Sequence, residues 1–211
     1  MRIPRRARSA FLALTPALFA TWALAGLYLS LGPSFTASLL GDRSVVVGAL
    51  IPTTLCGATA AASVLTRAWP ARLAVVGGSL LVALGVAITI VGIRSESALP
   101  LFLGSGVAGL GFGTALAGSF RRLTPLAQPN ERASLLAAVY LVSYTAFSVP
   151  AVIAGLAVTD YGLRDTATVY AAVVVVLALT AALATELTLG ASRRGTPASA
   201  TAGARQPINP T

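Results

Sequence analysis

The sequence predicts an all-α membrane protein of six transmembrane helices with both termini in the cytoplasm. Three observations carry this. Six long apolar runs divide the chain, near residues 11–31, 45–65, 73–93, 101–120, 135–158 and 167–189. All fifteen basic residues are arginines and fall outside those runs. The arginine-rich gaps alternate with acidic ones.

A helix rises about 1.5 Å per residue, so about 20 apolar residues cross a hydrocarbon core of about 30 Å. A water-exposed helix of that length needs a charged face, and these runs have none. In lipid the backbone polar groups must pair within the helix, which excludes open sheet.

Arg2, Arg5, Arg6 and Arg8, then Arg67 and Arg72, then Arg121, Arg122 and Arg132, and finally Arg193, Arg194 and Arg205 occupy one set of gaps. The other set carries Asp42, Glu96, Asp160 and Asp165 with few arginines. The positive-inside rule puts the arginine-rich set in the cytoplasm, and an even number of spans agrees. The expected organisation is a basic cytoplasmic N-terminus at 1–9, a transmembrane domain at 10–189 and a disordered cytoplasmic tail at 190–211, rich in small and polar residues. Arginine without lysine points to a GC-rich bacterial genome and hence a bacterial cell membrane.

The first run imitates a secretory signal, with Arg5, Arg6 and Ala23-Leu24-Ala25 before Gly26. Apolar character continues through Leu27, Tyr28, Leu29 and Leu31, too long for a signal core, so it reads as an anchoring helix. Trp22, Gly26 and Ser30 align on it just before a Gly32-Pro33 break, which reads as a hinge or as the helix end. The second run is rich in hydroxyls, with Thr53, Thr54, Thr59 and Ser63 around Cys56. In the third, Gly78, Gly85 and Gly92 recur at heptad spacing and predict a left-handed packing seam.

In the fourth run, Gly104, Gly106 and Gly109 spell G-x-G-x-x-G. That fingerprint requires a strand before it and a soluble βαβ unit around it. Inside an apolar run, Gly109 to Gly113 and Gly113 to Ala117 read instead as small-xxx-small pairs for close helix packing. Ser105 is no protease nucleophile, because the chain has no histidine to serve as base.

The fifth run places Tyr140, Ser143, Tyr144, Phe147 and Ser148 on one stripe, which must face protein or water. Interhelical hydrogen bonds, worth about 0.6 kcal/mol each, explain any single one of these residues. The set favours a solute pathway lined by aromatic and hydroxyl groups. The sixth run, mostly Ala, Val and Leu from Ala171 to Leu183, suits a lipid-facing position, and Glu186 closes it as a carboxylate at the interface.

The net charge of +9 is spread over short loops without interleaved aromatics, so no nucleic-acid partner is expected. A single cysteine and no histidine leave no disulfide, no metal site and no His-based catalysis. No cofactor and no enzymatic activity are expected.

Arg121, Arg122, Pro125, Pro129, Glu131 and Arg132 lead into Tyr140, Tyr144, Phe147, Pro150, Ala154 and Gly155. With Leu163-Arg164-Asp165-Thr166 and the opening Trp22, Gly26, Leu27, Tyr28, Ser30, Leu31, Gly32 and Pro33, the chain resembles the C-terminal half of an efflux-type major facilitator superfamily transporter over residues 10–190. The family's loop signature G-x-x-x-D-R-x-G-R-R is degenerate here. Arg67 and Arg72 remain, Thr66 replaces the acid and Ala62 the glycine.

The resemblance implies an inverted three-plus-three repeat. It implies that the first and fourth helices line a cavity, the second and fifth flank and gate it, and the third and sixth face lipid. Substrate-contacting candidates are Trp22, Ser30, Tyr140, Ser143 and Tyr144; packing or gating candidates are Gly109, Gly113, Pro150 and Gly155. One half cannot enclose a pathway, so the expected partners are the lipid bilayer, a small-molecule solute, and a second six-helix half or a parallel second copy. Any proton-coupling carboxylate would come from the other half, since these spans bury no Asp, Glu, His or Lys. The alternative is a non-transporting membrane subunit or a truncated remnant.

Overall fold

The computed structural model of the protein describes residues 8–40 and 45–194. The expected basic segment before Arg8, Asp42 and Arg43 of the first gap, and the tail beyond Arg194 lie outside the described residues. Those described fold into helices α1 (Arg8–Leu40), α2 (Val45–Leu65), α3 (Ala71–Ser95), α4 (Ala98–Leu123) and α5 (Arg132–Arg194), with a short 3-10 turn at Thr124–Leu126. All five are long and apolar enough to cross a membrane.

Helix α5 holds 63 residues and is interrupted at Gly162, whose φ of 78° and ψ of 162° leave the helical region. Its arms, residues 132–161 and 163–194, therefore take the place of the fifth and sixth apolar runs. The expected gap between those runs shrinks to one glycine. The tight reversal uses a backbone conformation that essentially only glycine adopts without strain.

Three other boundaries depart from expectation. Helix α1 does not end at Gly32-Pro33 but runs on to Leu40. Pro33 withholds one donor, that to the Leu29 carbonyl, and the segment is held against α2, with Gly32 on Ile51 and Pro33 on Gly48. Between α3 and α4 only Glu96 and Ser97 intervene, with Glu96 left-handed at φ 50° and the Ser97 amide donating back to the Gly92 carbonyl at 3.1 Å. The last helix passes Gly190, where the tail was expected to begin, and continues to Arg194.

Helical segments consecutive in the chain alternate in direction. Pro33 of α1 meets Gly48 of α2 while Gly32 meets Ile51, so α1 and α2 are antiparallel. Gly78, Gly85 and Gly92 of α3 meet Ala115, Ala108 and Leu101 of α4 in turn, an antiparallel seam at the expected heptad spacing. The partner helix answers with a second heptad: Gly104 faces the Gly85 carbonyl, Gly111 the Gly78 carbonyl and Gly118 the side chain of Ala74. Backbones approach this closely only where no Cβ intervenes. The other face of α4 is also committed, with Gly109 against Leu55 and Ala58 of α2, and Gly113 against Thr59 and Ser63.

The second arm of α5 lies antiparallel to α3, and ion pairs mark both ends of that contact. Arg72 pairs with Glu186 at one end. At the other, Arg94 Nη1 lies 3.2 Å from Asp165 Oδ1, and Arg164 pairs with Glu96. Arg72 and Arg94 stand about 33 Å apart along the helix axis, close to the thickness of a hydrocarbon core. Such exposed pairs add little stability; their value is in marking where the apolar zone stops.

Two cores occupy the two ends of the bundle. Phe11, Leu14 and Leu18 of α1 pack with Val75, Leu123, Leu135, Val139 and Ala181 at the end that also holds Arg72, Arg121, Arg122 and Arg132. Leu24, Leu27 and Tyr28 pack with Leu55, Val82, Val86, Ala171 and Val174 through the middle and the opposite end. There the Tyr28 hydroxyl and Thr89 Oγ1 share a hydrogen bond of 2.5 Å, and the Tyr170 hydroxyl donates to the Ala23 carbonyl at 2.9 Å.

The exposed surfaces differ by side. On α3 they are Leu73, Leu80, Leu84 and Val91; on the second arm of α5, Val169, Val173, Val176, Leu179, Leu183 and Leu187. Both stripes suit hydrocarbon. On α2 and the first arm of α5 the exposed set is mixed, with Thr53 and Cys56 on α2 and Tyr140, Tyr144, Thr145 and Ser148 on α5.

Candidate functional site

Trp22, Tyr140 and Tyr144 are brought together from helices far apart in sequence. Helix α1 runs parallel to the first arm of α5, held where Gly26 lets the Phe147 carbonyl approach. The Trp22 ring then lies 6.3 Å from that of Tyr144, which stacks on Tyr140 at 6.1 Å. On its other side Trp22 meets the Phe112 ring of α4 edge-on at 5.9 Å. The result is a continuous aromatic row across three helices, sealed by Phe112 and open at the tyrosines. Tyr140 is 47% and Tyr144 61% exposed.

The remaining substrate-contacting candidates stand elsewhere. Ser143 is 1% exposed and faces inward rather than along the open face. At about 100° per residue it sits about 60° to one side of Tyr140, while Tyr144 sits about 40° to the other. The predicted stripe is wide enough that its edge falls into the helix contact. Ser30 lies two turns beyond Trp22 on α1, and its hydroxyl donates to the Gly26 carbonyl at 2.6 Å.

Among the packing candidates, Gly109 and Gly113 take close contacts from α2, and Pro150 is half-buried. Gly155 departs from the packing expectation, because an added Cβ would meet nothing within 4 Å. It lies on the outward side of α5, away from the other helices.

Two buried polar atoms adjoin the row without hydrogen-bond partners, Trp22 Nε1 and Ser143 Oγ. An unpaired buried donor is costly and gains on meeting an acceptor. The row therefore offers ring faces and edges and phenolic hydroxyls, with no formal charge, while the Trp22 N–H lies buried behind them. That is a surface for planar or apolar solutes and, through its ring faces, for organic cations. Among the described residues no three His, Cys, Asp or Glu side chains converge on a possible metal position.

Phe112 was not singled out from sequence. Its signal was there, a lone large side chain among Gly111, Gly113 and Thr114, where only the opposite helix could accommodate it. Glu186, expected at the interface, has a partner in Arg72. No protein-family model matches this chain, and neither does any curated protein.

Proposed function

We propose that this chain is one six-helix half of a secondary transporter of the major facilitator type, and that it moves a small solute outward across a bacterial cell membrane. Both termini and the arginine-rich end then face the cytoplasm, and each arm of α5 is one crossing. The single observation that carries the reading is the open aromatic row of Trp22, Tyr144 and Tyr140 on a mixed polar face, opposite two largely apolar faces.

A bundle that met lipid on every side would have little use for exposed hydroxyls gathered on α2 and the first arm of α5. A second half, or a second copy in parallel, covers that face and closes the pathway over the tyrosines. The solute passes as the two halves rock against each other. The partner half supplies any protonatable carboxylate, since the aromatic row has none.

Helix α4 favours a second reading. In the resemblance it lines the cavity, yet glycine seams commit it to α3 on one side and α2 on the other. A helix so enclosed suits a packed, non-transporting membrane subunit.

Accumulation of a panel of apolar and zwitterionic fluorescent solutes, in cells that carry or lack the chain, separates the two. Tyr144→Ala is expected to reduce export about three- to tenfold, the worth of one aromatic contact of about 0.5–1.5 kcal/mol. Membrane abundance should be unchanged, and Leu141→Ala, one exposed neighbour away, should have no effect. Export untouched by Tyr144→Ala, or lost only in step with abundance, contradicts the pathway and supports the packed subunit.

A further inference from the structure

The two arms of α5 diverge from Gly162 and leave a groove of about 580 Å³ between them. Its walls are apolar: Pro150, Ile153, Ala154 and Ala157 on the first arm, Val169 and Val173 on the second. At the closed end stand Tyr161, Asp165 and Thr166. The aromatic row uses none of these residues.

Thr166 is the informative one. Threonines elsewhere in the bundle, such as Thr21, Thr36, Thr89 and Thr114, turn their hydroxyls back to the carbonyl four residues earlier. Thr166 does not: the carbonyl four residues earlier belongs to Gly162, where the second arm begins, and the hydroxyl makes no bond to it. The hydroxyl is left without a partner although Thr166 is only 7% exposed, and it borders the groove. A buried hydroxyl beside a cavity gains when rotation about χ1 brings it to an acceptor lying in that cavity.

Above it, at the end of the apolar zone, lie the two exposed ion pairs of Arg94 with Asp165 and Arg164 with Glu96, and Asp160 stands two residues before Gly162 in the chain. Because these pairs are exposed, exchanging partners within them is cheap. From surface to interior the chemistry thus runs in three tiers: charges of both signs, one unpaired hydroxyl donor, and apolar walls.

We propose that the groove binds one phospholipid of the zwitterionic, primary-ammonium class. Its phosphate meets Arg94 and Arg164, and its ammonium meets the carboxylates of Asp160, Asp165 and Glu96. An ester carbonyl accepts from Thr166, and one acyl chain lies between the arms of α5. A primary ammonium donates three hydrogen bonds to carboxylates, which a trimethylammonium cannot, and a purely anionic headgroup leaves the carboxylates unanswered. The lipid holds the arms apart at a fixed angle. The proposal requires the chain to lie in a bilayer and does not depend on transport.

The test uses the full chain in nanodiscs of equimolar phosphatidylethanolamine, phosphatidylcholine and phosphatidylglycerol, followed by native mass spectrometry. One retained phosphatidylethanolamine is expected. With a photoreactive acyl chain on that lipid, the label should fall within residues 150–173. Ala157→Trp, which puts an indole where the chain lies, should lower retention at least about tenfold. Thr166→Val should lower it about threefold, the effect of one membrane hydrogen bond. Leu84→Trp, on the apolar stripe of α3, should leave it unchanged.

Preferential retention of either other lipid, label spread evenly over exposed helices, or cross-links between two copies through α5 would each overturn the proposal. If Ala157→Trp fails to accumulate, the label position on the unaltered chain decides.

Discussion

Replacing Gly85 with leucine is expected to separate α3 from α4 and to leave little folded protein in the membrane. A Cβ at Gly85 would stand 2.7 Å from the Cα and 2.8 Å from the Cβ of Ala108, and neither atom can rotate away. The same register repeats one heptad to either side, where a Cβ on Gly78 would lie 2.8 Å from the Ala115 Cα and one on Gly92 2.7 Å from the Leu101 amide. Moving the helices apart to admit one side chain therefore opens the whole seam. Overpacking of this kind costs about 3 kcal/mol or more. Gly77→Leu, next to Gly78 on the same helix, is the control, because nothing lies within 4 Å of its added Cβ. Thermal unfolding in detergent should fall steeply for Gly85→Leu and barely for Gly77→Leu. Equal effects would mean that α3 and α4 do not meet along this line.

The second large effect comes from backbone conformation alone. Gly162→Ala meets no atom within 4 Å, yet it places a Cβ on a residue at φ 78° and ψ 162°. Holding a non-glycine residue there costs about 1–3 kcal/mol. Gly155→Ala also enters open space but within regular helix, where alanine gains about 0.5–1 kcal/mol over glycine. One substitution seven residues apart is thus expected to act with opposite signs. A straight α5 would contradict the reversal by making both changes stabilising. It would also break the bond of Tyr170 to Ala23 and the pair of Arg72 with Glu186, which need the second arm folded back on α1 and α3.

Much of this architecture was legible because lipid removes alternatives. Apolar runs without a charged face have to be helices, and the limits of α2 match the second run at both ends. The glycine heptad of α3 was legible for the same reason, since in hydrocarbon close approach replaces the hydrophobic effect as the force between helices. Its counterpart at Gly104, Gly111 and Gly118 was obscured by the denser glycines between them, which serve α2 instead. Proline misled where packing decided the outcome. Pro33 sits in continuous helix because α2 supports it, whereas Gly162 reverses the chain inside the polar gap of Asp160, Arg164 and Asp165 between the fifth and sixth runs.

The aromatic row was legible in part. Helical periodicity placed Tyr140 and Tyr144 on one stripe, but Ser143 fell into the contact because the edge of a stripe depends on the neighbour's position. That Trp22 meets Tyr144 depends on the parallel pairing of α1 with the first arm of α5, which no local pattern encodes. Thr166 was invisible for a similar reason. Its hydroxyl is unpaired at the start of the second arm, a place set by the reversal at Gly162.

The most direct test of the membrane arrangement is labelling of single cysteines with an impermeant maleimide on intact cells, in a Cys56→Ser background. Ser97→Cys and Asp160→Cys stand at the end holding Arg94 and Arg164; Gln128→Cys stands between α4 and α5, at the arginine-rich end. The account predicts that the first two label from outside and the third only after the membrane is opened. Labelling of Gln128→Cys on intact cells, or failure of Asp160→Cys to label while Ser97→Cys does, would contradict it.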